Sequence, residues 1–379
     1  MNSQITFGLP CMHKERGEVR DFLPFFVEVL HRHGAQIVAE HGYGSGMGLE
    51  EADYLRLSPT VRFTSHEECY QQNIVLVLRC PEEDELRLIR HGACLISMLH
   101  YPTRPQRTSH LKAIGIEAIS LDSIHDDSGR RLVENLRAVG WNGVQIAMQT
   151  LRNLYPPPGF ESPDRSPIYV TLLGAGAVGS HVVQAAIRYG NNDLRRKLAD
   201  AGVPGVLVNV VDYDLTSKAE VMRPILKHTD ILVDATQRLD TSKPVIPNDW
   251  LADLPAHAIL LDLSVDPYGD SPQEHQVKGI EGIPQGNLDQ YVFAPDDPIY
   301  ETLPVWVNTA QRRYVVSSYS WPGIYPKECM TIYGRQLQPL MRILLERGGP
   351  ADIRPKGRFF ERALSRAMLS NWSVSSNKE

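Results

Sequence analysis

At 379 residues the chain exceeds one typical hydrophobic core, so two domains are expected. Its 42% hydrophobic and 22% charged content excludes a disordered or fibrous chain. A formal net charge of −6 gives no basic footprint, which argues against nucleic acid or an anionic membrane as partner and leaves a small molecule.

The five cysteines, Cys11, Cys69, Cys80, Cys94 and Cys329, are odd in number and lack C-x-x-C spacing. Neither a disulfide framework nor a zinc site is expected from them, and they read as reduced thiols. No apolar run approaches the length of a membrane span, and the first residues lack the pattern of a secretion signal. The expected compartment is therefore the cytoplasm.

In chain order, Ile5–Leu9 reads as a strand and Leu23–His33 as a helix with Pro24 in its first turn and Gly34 as its stop. The loop Gly42–Gly48 carries four glycines but lacks the Gly-Lys-Ser/Thr ending of a phosphate loop, so a flexible connection is expected. His31 and His33 read as a solvated helix end rather than metal ligands. Further strands are expected at Gln36–Glu40, Ile74–Leu78, Ala93–Leu99 and Glu117–Leu121, with amphipathic segments between several of them. That alternation is α/β with a largely parallel sheet. A long helical pattern from about Arg130 to Leu154 then meets the proline-rich stretch Pro156–Pro167, which suits neither helix nor central strand and marks a domain boundary.

Immediately after it comes Ile168-Tyr-Val-Thr-Leu-Leu-Gly-Ala-Gly-Ala-Val-Gly179, a β-like run ending in G-x-G-x-x-G. Gly174 would make the tight turn, Gly176 would let backbone approach a pyrophosphate, and Gly179 would allow close helix packing. The helix-compatible run Ser180–Arg188 follows, so free N–H groups would face phosphate. Ala175 and Val178 complete the expected cofactor turn. Strands are expected at Val206–Val211, Ile231–Val233, Ala258–Leu263 and Tyr314–Ser317, and helices at Ser217–Lys227, Lys327–Arg347 and about Arg358–Leu369. An acidic residue for the ribose is expected about 20 residues beyond the fingerprint, whereas Val206–Val211 ends later, at Asp212. The polar stretch Asn191–Gly205 accounts for the difference as an insertion lengthening the first helix and its loop. Asp212, ahead of Asp214, then selects NAD in preference to NADP. Between Asp212 and Ile231 there is room for one helix only, so the usual six-strand order is expected to be trimmed, with Ala235 and Thr236 after the next strand lining the nucleotide site.

Several segments, taken in order, resemble the superfamily of alanine dehydrogenase and nicotinamide nucleotide transhydrogenase, which includes lysine-forming saccharopine dehydrogenase. They are Lys14-Glu-Arg-Gly-Glu-Val-Arg20 with Pro24, Val77-Leu-Arg-Cys-Pro81 with Glu85, Leu99-His100, the glycine fingerprint, Asp262-Leu-Ser-Val-Asp266, and Trp321-Pro-Gly-Ile-Tyr-Pro-Lys327. The resemblance implies two Rossmann-like domains: a discontinuous substrate domain, 1–155 with 322–379, and an inserted doubly wound NAD-binding domain, 156–321, with the chemistry in the cleft. It assigns Arg20 to a substrate carboxylate, which a guanidinium holds through two parallel hydrogen bonds. His100, at the carboxyl end of its strand, becomes the general acid or base. Asp266 becomes the acidic residue near the nicotinamide, although an aspartate before Pro267 also suits a simple turn. Arg79 stands where relatives usually have lysine; an arginine supplies positive charge but no easy proton shuttle. The expected activity is NAD-dependent hydride transfer at the α-carbon of an amino acid, with a small amino acid or 2-oxo acid as partner. A saccharopine- or opine-type condensation, a transhydrogenase-like nucleotide module and a catalytically silent sensor are the alternatives, and whether the chain forms a homo-oligomer stays open.

Overall fold

The computed structural model describes residues 4–12, 16–238, 240, 242–264, 268 and 277–372. They form two compact units: residues up to Asn135 together with those from Tyr325 onward, and Leu136–Ile324. The fold is α/β in both.

The first unit is built on β1 (Thr6–Leu9), β2 (Gln36–Glu40), β3 (Arg62–Thr64), β4 (Ile74–Arg79), β5 (Cys94–Met98) and β6 (Glu117–Ser120). All neighbours pair in parallel, in the order β3-β2-β1-β4-β5-β6. That is the doubly wound order, in which ligands gather beyond the carboxyl ends of the strands near the reversal between β1 and β4. β4 is buried along Ile74–Leu78, as expected of a central parallel strand covered on both faces. The late helix Pro326–Arg347 adds Met330, Leu337, Leu340 and Leu344 to the same core. It approaches the helix Pro24–Arg32 at Gly334, where a Cβ would stand 2.7 Å from the Phe25 ring.

The glycine loop at 42–48 is pinned, contrary to the flexible connection its composition suggests. Gly44 N donates to Asp21 Oδ2 at 2.8 Å, the Tyr43 hydroxyl accepts from Phe22 N at 2.9 Å, and a Cβ on Gly46 would collide with Val19. Its glycines serve a left-handed backbone at Gly42, Gly44 and Gly48, clamping the segment that carries Arg20.

The second unit contains β7 (Ile168–Leu173), β8 (Val206–Val211), β9 (Ile231–Asp234), β10 (Ile259–Asp262), β11 (Val292–Phe293) and β12 (Tyr314–Ser317). Their order is β11-β12-β10-β9-β7-β8, with β11 antiparallel and the rest parallel. The chain passes from β8 through the helices Tyr213–Thr216 and Ala219–Leu226 directly to β9 beside β7. The strand that commonly lies outside β8 is missing among the described residues, as the short Asp212–Ile231 spacing implies. Leu207 and Val210 on this edge strand are consequently exposed at 41% and 47%.

This unit begins at Leu136 rather than at the proline-rich stretch. The helix Leu136–Leu154 presses Gly143 onto Leu261 and Leu263, presses Gly140 onto the backbone at His181–Val182, and ties Asn142 to Trp321 O at 3.0 Å. The residues before Leu136 are not helical; His125 and Arg131 form an antiparallel bridge instead. Nor does the insertion at Asn191–Gly205 lengthen the first helix. That helix, Ala177–Ala186, ends, the backbone turns through left-handed Tyr189 and Gly190, and a separate helix Asn192–Asp200 starts with the Asn191 side chain capping Asp193 N and Leu194 N. Two short strands, β3 and β11, carry too little pattern to be read from sequence.

Candidate active site

In the first unit, the residues singled out by sequence lie after the carboxyl ends of β1, β4 and β5. Arg79 closes β4, where the register with β5 shifts between Leu76 and Arg79. Arg20 follows β1 and is 3% exposed. Its guanidinium is already engaged: Nε lies 2.7 Å from Glu18 Oε1 and Nη2 2.5 Å from Glu18 Oε2, with Nη1 3.8 Å from the Cys329 sulfur. Burial alone would lower the Arg20 pKa, but the Glu18 pair raises it. Burial likewise pushes Glu18 up, and the hydrogen bond and charge of Arg20, aided by the charge of Arg79, bring it below the usual carboxylate value. The fork expected to receive a substrate carboxylate thus holds one from its own chain.

Beside it, Asp21 is pushed up to about 7 by burial, against the hydrogen bonds it receives from the Gly44 and Met12 backbone.

His100 sits just beyond β5 with φ 53 and ψ 48, a left-handed conformation uncommon outside glycine, although asparagine, aspartate and histidine adopt it more often than other side chains. Its backbone N donates to Asp122 Oδ1 at 3.1 Å and its ring Nδ1 lies 3.4 Å from Asp122 Oδ2. The imidazole is about half exposed while the Asp122 carboxylate is 7% exposed. Burial works to raise Asp122, but the His100 contacts and the Ser120 hydroxyl, 2.9 Å away, hold it well below the carboxylate range. A buried anion thereby fixes the orientation of an accessible imidazole. Asp122 escaped the sequence reading, although it follows the strand candidate Glu117–Leu121 just as His100 follows Ala93–Leu99; the same strand-end rule would have found it.

In the second unit, Gly174 takes φ 90 at the end of β7, and a Cβ there would stand 2.8 Å from Ala235 O. A Cβ on Gly179 would stand 2.3 Å from Gly174 O, so helix and turn touch only because both are glycine. Gly176 is different: a Cβ would meet nothing within 4 Å. It opens onto space at the N-terminus of Ala177–Ala186, with no side-chain cap and no acidic residue in the first turn. Unsatisfied N–H groups beside a bare backbone form a cradle that fits a pyrophosphate. Ala175 is exposed, Val178 packs toward the core, and Ala235 N donates to Leu173 O at 3.0 Å. Asp212 is exposed at the end of β8, giving one oxygen to Tyr213 N at 2.7 Å. Asp266 lies outside the described residues.

Residues 17–137 match the family model described as alanine dehydrogenase/PNT, N-terminal domain. Alanine dehydrogenase of Mycolicibacterium smegmatis is 22% identical over 277 residues, covering 69% of this chain and 73% of its own length. That of Bacillus subtilis is 22% identical over 281 residues, 70% of this chain and 72% of the relative. The NAD(P) transhydrogenase subunit alpha of Haemophilus influenzae is 21% identical across 43% of this chain and 32% of its own. Residues 17–137 thus carry an alanine dehydrogenase/PNT N-terminal domain, and most of the chain is similar to alanine dehydrogenases. Among solved structures, an L-alanine dehydrogenase superposes with a TM-score of 0.69 at 17% identity, covering 96% of this chain and 94% of the other. A transhydrogenase from Sinorhizobium meliloti gives 0.60 at 15%, covering 90% and 94%. The likeness in fold to these structures covers both units, well beyond the segment matched by the family model.

Proposed function

We propose that the protein is an NAD-dependent oxidoreductase acting on the carbon–nitrogen bond of an amino acid. The observation that carries this reading is His100, an accessible imidazole fixed by a buried carboxylate at a strand's carboxyl end. The similarity to alanine dehydrogenases and the glycine cradle at Gly176 support the cofactor half.

A bound nicotinamide supplies the hydride chemistry. The chain's own residues hold the reactants and move protons. His100 exchanges a proton with the substrate nitrogen or with the water that replaces it, while Asp122 stabilises the imidazolium. Arg79 takes the substrate carboxylate or carbonyl oxygen in preference to Arg20, because Glu18 occupies the Arg20 fork. Arg20 and Glu18 form the buried base of this site. Gly174, Ala175, Gly176, Val178 and Gly179 receive the pyrophosphate, Ala235 and Thr236 border it, and Asp212 offers its second oxygen to a ribose hydroxyl, favouring NAD over NADP. Asp266 joins the set on the strength of its motif.

The test is to mix the protein with NADH, ammonia and a panel of 2-oxo acids, and then with amino acids replacing ammonia, following reduced nicotinamide by absorbance. Turnover with ammonia gives a deaminating dehydrogenase; turnover only with an amino acid gives an opine-type condensation. NADH binding without oxidation in any mixture would overturn the enzyme reading. Arg79→Met should raise the KM for the oxo acid at least tenfold, about 1.4 kcal/mol of lost binding, with NADH affinity unchanged.

A further inference from the structure

At the edge of the second unit that carries the glycine turn, β9 and β10 end in two carboxyl groups shielded from solvent, Asp234 and Asp262, which are register partners on neighbouring strands. Lys278, 1% exposed, places Nζ 2.8 Å from Asp262 Oδ2, and the Ser317 hydroxyl at the end of β12 donates to the same oxygen at 3.0 Å. Ser264 Oγ stands between the carboxyls, 3.0 Å from Asp234 Oδ2 and 3.1 Å from Asp262 Oδ1.

Two ionised carboxylates held side by side in a site shielded from solvent and bridged by one serine hydroxyl repel each other, which is strongly unfavourable. Asp262 is the ammonium's partner. Among the described residues, Asp234 meets only neutral donors: Thr236 N at 3.0 Å and Thr236 Oγ1 at 2.7 Å on Oδ1, and Ser264 on Oδ2. The Gly279 backbone closes the remaining side, since a Cβ there would lie 1.9 Å from Asp234 Oδ2. Ser264 has one hydroxyl hydrogen for two carboxyls. If it goes to Asp262, Asp234 must be the donor, and a proton on Oδ2 completes a chain from Asp234 through Ser264 to the lysine-paired Asp262. Burial and the Asp262 charge push the Asp234 carboxyl up to about 6, in the same direction.

The network reaches the cofactor turn in one step. Asp234 fixes Thr236, and the adjoining Ala235 carbonyl packs on Gly174. We propose that Asp234 is a positioning residue that must be protonated for the dinucleotide to bind, because its ionisation places a buried negative charge directly behind the turn that receives the pyrophosphate. This rests on the nucleotide reading above. The groups that face it are Thr236 on its own segment, Asp262 and Ser264 from the end of β10, Gly279 with Lys278 beside it, and Ser317 acting through Asp262; the Tyr268 ring lies 5.9 Å from Lys278 Nζ.

The experiment is an NADH fluorescence titration of the full chain from about pH 5 to about pH 9, wild type against Asp234→Asn, whose amide keeps the acceptor for Thr236 and supplies an N–H to Ser264. Wild-type Kd should rise by about tenfold per pH unit above the titration midpoint, while the variant stays flat. A flat wild-type curve, or an unchanged slope in the variant, overturns the proposal while leaving the nucleotide reading intact. If neither protein binds NADH at any pH, both fall. Infrared difference spectra need no nucleotide: at acid pH the wild type should show a protonated-carboxyl stretch that the variant lacks, and its absence would also overturn the proposal.

Discussion

His100 holds a backbone conformation that costs an ordinary L-residue about 1–2 kcal/mol. Asparagine adopts it more readily. Replacing His100 with Asn should therefore cut kcat by roughly 10²–10⁴-fold, the usual weight of a general acid–base, while the melting temperature stays level or rises. A fall in stability instead would mean that the imidazole serves packing. Asp122→Asn should lose a smaller part of kcat and leave NADH affinity alone, since Asp122 acts through His100. Arg20 makes the opposite forecast. Arg20→Met leaves Glu18 buried and unpaired, so urea denaturation should show a loss of about 3–5 kcal/mol, and removing both partners as Glu18→Leu/Arg20→Met should recover much of it. If single and double variants are equally destabilised, the pair is not what holds this segment.

At the scale of elements, the glycine turn separates folding from binding. Gly176→Ala adds a methyl group where nothing lies within 4 Å, so the fold should melt unchanged while NADH affinity drops; Gly179→Ala drives a Cβ to 2.3 Å from Gly174 O and should lower both. Thermal melts paired with NADH titrations decide this, and an unaltered affinity in Gly176→Ala would remove the pyrophosphate from that turn. The turn was legible because its determinants are local: β-branched residues, three glycines and a following helix. The strands β2, β8 and β12 likewise match their sequence patterns end to end. What stayed hidden depends on partners far apart in the chain. Nothing near Asp234 announces Lys278, and although Glu18 lies only two residues from Arg20, the pair is buried against Cys329 of the late helix. The helix Leu136–Leu154 reads as a continuation of the first unit until its glycines are seen against Leu261 and His181.

For the whole molecule, buried carboxyls of two kinds set opposing pH dependences. Glu18 and Asp122 are held below their unfolded values, so the stability they bring is present above about pH 4 and lost as pH falls through their folded pKa. Asp21 and Asp234 are raised, to about 7 and about 6, mainly by burial. Their contribution is full below about pH 4, the unfolded carboxyl value, and lost as pH rises through those folded values. These four groups together predict greatest stability in weakly acid solution and a decline toward neutrality. Asp234→Asn cannot ionise, so it should remove that group's share of the decline, about 3 kcal/mol at 1.36 kcal/mol per pKa unit. The effect should fall on the transition of the second unit alone, since Asp234 and its partners all lie there. Urea denaturation near pH 5 and near pH 8 captures about 1.4 kcal/mol of it, the part of the decline that lies above pH 5. If the variant loses as much stability as the wild type between these two conditions, Asp234 is ionised in the folded chain without penalty, and the neutral carboxyl behind the glycine turn is ruled out.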